Sequence, residues 1–106
     1  MLKNYVGDNA KQITGDLCEK RELSYLEKQG LFGWLYALYQ ANDWEEYGTF
    51  ETLYNSSCIQ NNELRINTGE GIQLDDNKRL DSIFVNKYDV LCMSVLDEND
   101  NETIYC

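Results

Sequence analysis

Acidic and aromatic side chains are concentrated together between residues 31 and 54. This segment contains eight of the chain's aromatic residues, and no lysine or arginine occurs between Lys28 and Arg65. Carboxylates bind arginine and lysine, and tryptophan and tyrosine commonly anchor protein interfaces. We therefore predict that part of the segment contacts a positively charged partner. The predicted contact residues are Asp43, Trp44, Glu45, Glu46, Tyr47 and Glu51.

The same segment has the spacing of a buried helix. Four apolar residues follow the helical period and are assigned to the core: Leu31, Trp34, Leu35 and Leu38. For Tyr39, Trp44 and Tyr47, which neighbour the acidic residues, burial and partner contact remain equally open. The alternative interpretation of the carboxylates themselves is a solvated face.

A second stretch without basic residues runs from Tyr88 to the C-terminus. Its predicted contact residues are Asp97, Glu98, Asp100 and Glu102. The turn Asp97-x-Asn99-x-Asn101 has the first oxygen ligands of a calcium loop, but Glu102 stands where that loop needs glycine. We therefore predict a plain hairpin loop here and no metal site.

The overall charge restricts the class of partner. Nineteen acidic residues against nine basic ones leave a net charge of −10, beyond the magnitude of roughly 2–8 expected of a small soluble domain. Polyanions such as nucleic acids and anionic membranes are repelled by this charge. A positively charged protein surface is favoured, although the same acidity also increases solubility.

Little in the sequence points to catalysis. Histidine, the commonest general base, is absent, and no phosphate-binding, dinucleotide-binding or nucleophile motif occurs. We predict no catalytic residue and no cofactor. The four scattered cysteines include no CxxC pair, so we expect reduced thiols; with no apolar leader at the N-terminus, we expect a cytoplasmic protein.

The order of the elements predicts an α+β domain spanning residues 1–106. The pattern is helical over about 19–56, with a second helix expected to begin at Asp43, through reciprocal capping with Glu46, or at Thr49. Antiparallel strands are expected over about 62–106, where short alternating and β-branched runs follow one another. We expect two or three N-terminal helices packed on one face of a C-terminal antiparallel sheet.

In character, the chain resembles phage-encoded anti-defence proteins, which include anti-CRISPR inhibitors and DNA mimics. The likeness lies in its length, its pI of about 4.2 and acidic runs such as Asp43-Trp44-Glu45-Glu46-Tyr47 and Asp97-Glu98-Asn99-Asp100. The resemblance implies carboxylates that occupy a groove built for phosphates.

Three hypotheses follow. The first is a non-enzymatic inhibitor of a basic, nucleic-acid-binding protein. The second is an immunity protein or chaperone that neutralises one cognate toxin, with aromatic burial dominating the contact. The third is a small enzyme that uses paired carboxylates, which would require a deep pocket with two or more acids of raised pKa.

Overall fold

An antiparallel sheet forms one layer of the structure, and a long helix packs against it. The computed structural model of the protein describes residues 12–13, 15–41, 43–67, 74 and 77–106. The strands are β1 (Gln12–Ile13), β2 (Ser57–Gln60), β3 (Glu63–Ile66), β4 (Arg79–Val85), β5 (Leu91–Leu96) and β6 (Glu102–Tyr105). Their order across the sheet is β1-β6-β5-β4-β3-β2, and every neighbouring pair is antiparallel.

Helix α1 (Tyr25–Ala41) begins with a reciprocal cap. The Ser24 hydroxyl accepts a hydrogen bond from the Glu27 amide (3.2 Å), and the Glu27 carboxylate accepts one from the Ser24 amide (3.1 Å). Two N–H groups that would otherwise lack a partner at the helix start are thereby satisfied. Gly30 and Gly33 lie within the helix without interrupting it, because the leucines around them pack on the sheet.

The capping predicted at Asp43 is wrong. Its backbone is left-handed (φ 53°), its side chain makes no capping hydrogen bond, and the residues after it form only a 3₁₀ turn, Trp44–Tyr47. Helix α2 (Phe50–Asn55) instead begins after Thr49, whose hydroxyl accepts a hydrogen bond from the Thr52 amide (3.3 Å). The alternative start at Thr49 is therefore confirmed.

The core lies between α1 and the sheet. Its fully buried side chains include Leu31, Leu35, Leu38, Leu64, Ile83 and Met93. The leucines of α1 predicted for the core are confirmed, while Trp34 is only partly buried at its edge.

The α+β class and the antiparallel sheet are confirmed, but the helical layer is smaller than predicted. In the described residues the one long helix is α1, and α2 has six residues and packs on α1. Strands β1 and β2 lie outside the predicted strand region, because short edge strands carry a weak alternation signal. None of the helices described has the length and apolar character needed to cross a membrane.

A disulfide joins Cys92 of β5 to Cys106, next to the end of β6. Residues Met93 and Tyr105 pair directly in the sheet, so the two cysteines stand opposite each other on neighbouring strands. The expectation of reduced thiols is wrong for this pair, because residues far apart in the sequence become neighbours only when the strands pair. Disulfides persist mainly in oxidising environments, so the cysteines lend no support to a cytoplasmic location.

Candidate partner-binding site

Four of the predicted acidic residues are exposed: Asp43, Glu45 and Glu46 between α1 and α2, and Glu51 in the first turn of α2. None of the four forms an ion pair with a lysine or arginine that the structure describes. The basic residues that do form ion pairs bind other acids, and they are Lys20, Arg21, Arg65, Arg79 and Lys87. No cation in the described part of the chain therefore compensates the negative charge of these four residues.

Aromatic rings lie beside these carboxylates. The ring of Phe50 in α2 meets the rings of Tyr36 and Tyr39 edge-on, with centroid distances of 5.0 and 5.5 Å. The ring of Tyr54 lies 4.7 Å from that of Phe32. Because α2 is short, Tyr36 and Tyr54 remain 45% and 47% exposed.

Seven residues together make up what we call the acidic–aromatic surface: Tyr36, Asp43, Glu45, Glu46, Phe50, Glu51 and Tyr54. Exposed tyrosines beside carboxylates suit a partner with arginine or lysine, since a cation binds both the ring face and the carboxylate. The surface thus offers charge and apolar area to the same partner.

A cleft of about 300 Å³ opens within this region, between α1 and the 3₁₀ turn. Its lining residues are Tyr36, Tyr39, Gln40, Asp43 and Glu45. The Tyr39 hydroxyl donates a hydrogen bond to the Gly48 carbonyl, and Gln40 Nε2 donates one to Tyr36 Oη (2.8 Å). Burial, and then the charge of Glu45, raise the pKa of Tyr39, so its hydroxyl stays protonated. These hydrogen bonds fix the aromatic walls of the cleft, and the carboxylates of Asp43 and Glu45 also line it.

Trp44 does not belong to this surface. Its side chain has no exposed area and forms part of the core, contrary to the prediction that it contacts a partner. The 3₁₀ turn directs the indole inward, where burial of its large apolar area is favourable. Tyr39, for which burial and contact were both open, is also buried. The side chain of Tyr47 lies outside the described part of the structure.

The predicted hairpin at Asp97 is confirmed. The Asp97 carboxylate accepts hydrogen bonds from the amides of Asn99 (2.8 Å) and Asn101 (2.9 Å) in the turn between β5 and β6. These backbone bonds, from Asn101 and then Asn99, lower the pKa of Asp97. The carboxylate is thus used to hold the turn rather than being free for a partner.

The other C-terminal acids are also engaged, apart from Glu98. Arg79 forms an ion pair with Asp100, and the Ser94 hydroxyl donates a hydrogen bond to Glu102 (2.5 Å). Arg79 reaches this turn because β4 pairs with β5, which places it opposite Leu96. The second acidic cluster therefore has no basic residue near it in the sequence, but folding brings Arg79 next to it.

A further charged group lies on the sheet, around Glu63 of β3. Glu63 is buried, and its carboxylate contacts Lys20 (3.2 Å), Arg65 (3.3 Å) and the Ser82 hydroxyl (3.2 Å). Asp81 lies 3.5 Å from Arg65, and burial raises the pKa of its carboxyl. Because two cations and a hydroxyl donor surround its carboxylate, Glu63 has the character of a structural ion-pair network.

The chain was compared with protein-family models, curated proteins and solved structures, and nothing matches it. No group of residues in the described ranges is arranged to hold a metal ion.

Proposed function

We propose that the protein is a non-catalytic inhibitor that binds a basic, nucleic-acid-binding protein through the acidic–aromatic surface. The observation that carries the proposal is the group of four exposed carboxylates without a described cationic partner, beside exposed tyrosines. A local surplus of one charge sign focuses the electric field, speeds association and selects partners of opposite charge.

A partner of this surface must present arginine and lysine side chains to the carboxylates. A groove that binds nucleic acid presents arginine and lysine to phosphates, so its surface is strongly basic. Carboxylates on a protein of net charge −10 can occupy that groove in place of phosphates. Binding of this kind excludes the nucleic acid by competition.

The test is capture of partners from a lysate of the source organism by the immobilised protein, at about 0.05 M and about 0.5 M NaCl. Bound proteins should be strongly basic, be released at the higher salt concentration, and be displaced by duplex nucleic acid.

Glu45→Lys with Glu46→Lys should weaken binding to the captured protein by about tenfold or more, because like charges then face the basic groove. The matched control is Glu22→Lys with Glu98→Lys, which changes the net charge equally at two other exposed sites. If both double variants lost affinity equally, or if affinity did not depend on salt, the acidic–aromatic surface would not be the binding site.

A second candidate is a protein that neutralises one cognate toxin mainly through aromatic contacts. The exposure of Tyr36 and Tyr54 favours it. Under this alternative, Tyr36→Ala with Tyr54→Ala should reduce affinity more than the Glu45 and Glu46 reversals, and affinity should change little with salt. A toxin gene next to the gene for this protein would support the same alternative.

A further inference from the structure

A groove on the other flank of α1 has an apolar floor. Its volume is about 360 Å³, near the lower end of the roughly 300–1,000 Å³ typical of ligand sites. Leu23, Leu31 and Val85 are buried beneath it, and Trp34 is a partly buried wall. Gly30 forms the open side, and a Cβ atom placed on it would meet no other atom within 4 Å.

The rim of this groove is charged, with a surplus of carboxylate. Arg21 Nη2 donates to Glu27 (2.9 Å), and Arg21 Nε lies 2.8 Å from Asp89 Oδ1. The Nε–H is not aligned with the Asp89 carboxylate, so this second contact is an ion pair without a hydrogen bond. One guanidinium thus stands between two carboxylates, and Asp89 remains largely exposed.

Exposed apolar side chains continue the groove along the surface. Leu26 precedes Glu27, lies one helical turn before Gly30, and is 79% exposed. Val90 follows Asp89 and is 43% exposed. A small molecule confined to the groove would leave both in water, whereas a polypeptide crossing the groove would cover them.

We propose that this groove is a second docking site, which takes one large apolar side chain of a partner polypeptide that carries lysine or arginine next to it. The apolar floor and volume suit a phenylalanine or leucine side chain, and the surplus carboxylate at the rim suits the basic neighbour. The site extends beyond the proposed inhibitor function, because it selects an apolar anchor that the acidic–aromatic surface does not require.

The two sites are separate on the helix. The groove residues Glu27, Gly30, Leu31 and Trp34 have the i, i+3, i+4, i+7 spacing of one flank of α1. Tyr36 of the acidic–aromatic surface lies on the opposite flank, with its ring against Phe50 of α2. Binding at one site can therefore be measured without binding at the other.

The experiment uses three capped pentapeptides and the ¹⁵N-labelled full chain. The first peptide is Gly-Lys-Phe-Lys-Gly, and its controls are Gly-Lys-Ala-Lys-Gly and Gly-Glu-Phe-Glu-Gly. The Phe–Lys peptide should give saturable chemical-shift changes at the Gly30 and Leu31 amides and at the Trp34 indole. Both controls should bind at least about tenfold more weakly at these positions, since one lacks the apolar anchor and the other meets like charge.

Gly30→Leu fills the groove and should raise the Kd of the Phe–Lys peptide by about tenfold or more. Gly33→Leu is the matched control, because it makes the same change in the same helix, in open space and outside the groove lining. Neither variant should lower the Tm, since leucine favours a helix over glycine. Should Gly30→Leu fail to fold, Asp89→Asn offers a second test, as it should reduce the preference for the Phe–Lys peptide over the Phe–Glu peptide.

Equal binding of the alanine and phenylalanine peptides at the groove would overturn the second docking site. So would unchanged binding to Gly30→Leu. Shift changes confined to Tyr36 and Gln40 would also overturn it, while leaving the acidic–aromatic surface as a site for basic segments.

Discussion

Trp44 has no exposed surface, and its indole Nε1–H has no hydrogen-bond partner among the described residues. A buried donor left unsatisfied costs roughly 1–3 kcal/mol, whereas burial of the indole ring is strongly favourable. Packing therefore outweighs the lost hydrogen bond. The buried Trp44 side chain anchors the 3₁₀ turn to the core, and this turn positions the exposed Glu45 and Glu46.

Trp44→Ala should lower the free energy of unfolding by about 3–5 kcal/mol, because it leaves a large cavity in the core. Trp44→Phe should cost less, since it keeps a ring and removes the unsatisfied donor. Urea denaturation at neutral pH measures both. Tyr54→Ala, at an aromatic residue that is about half exposed, is the control and should change stability far less. Equal destabilisation by Trp44→Ala and Tyr54→Ala would contradict the core assignment.

At the scale of elements, the hairpin of β5 and β6 is held in three ways. The strands pair in register from Met93 to Leu96, the Asp97 carboxylate binds the turn, and the disulfide closes the open end. The disulfide spans 14 residues of sequence. Closing a loop of this length in the unfolded chain removes conformational entropy equivalent to about 3 kcal/mol of stability.

Reduction of the disulfide should therefore lower the free energy of unfolding by about 3 kcal/mol. Cys106→Ser should have the same effect and should make stability insensitive to added reductant. Denaturation with and without reductant measures both, and Cys58→Ser, outside the disulfide, is the control. If reductant left the wild-type stability unchanged, the disulfide would not contribute to the fold in solution.

At the scale of the whole molecule, the fold separates paired from unpaired acids. Described cations neutralise acids around the 3₁₀ turn Gly15–Cys18, the start of α1 and the sheet, while the acids between α1 and α2 have no described ion-pair partner. A net charge of −10 also makes the folded chain repel itself. Screening salt should accordingly weaken partner binding while relieving this repulsion.

The pH dependence of stability should show the ion pair at the start of α1. The Arg21 guanidinium, and then the Ser24 amide, hold the pKa of Glu27 at about 2, below its ordinary 4.5. Because the folded state binds this proton less readily, the stabilisation is present above pH 4.5 and is lost as the pH falls toward 2.

Glu27→Gln should reduce the loss of Tm on acidification over this range. Glutamine keeps the capping hydrogen bonds but cannot titrate or pair with Arg21. Glu98→Gln, at an exposed acid without a described ion pair, is the control and should keep the wild-type pH profile. If Tm depended on pH identically in Glu27→Gln and the wild type, the Arg21–Glu27 ion pair would not contribute to the pH dependence of stability.

Several features could be predicted from local patterns alone. Helical spacing predicts Leu31, Leu35 and Leu38 as core, and alternating or β-branched runs predict the strands from β3 onward. The Ser24-x-x-Glu27 capping motif is also present in the sequence, but the capping box was predicted at Asp43 and Glu46 instead. A capping motif starts an α-helix only when the residues after it bury an apolar helical face. The residues after Asp43 form a 3₁₀ turn instead.

Composition and short-range order are enough to predict the α+β class, the strong negative charge and the stretch without cations between Lys28 and Arg65. Three features arise only in the folded chain: Trp44 is buried, Arg79 neutralises Asp100, and Cys92 forms a disulfide with Cys106. Each of these three depends on elements that are distant along the chain, and proximity in space is set by strand pairing and packing rather than by neighbouring residues.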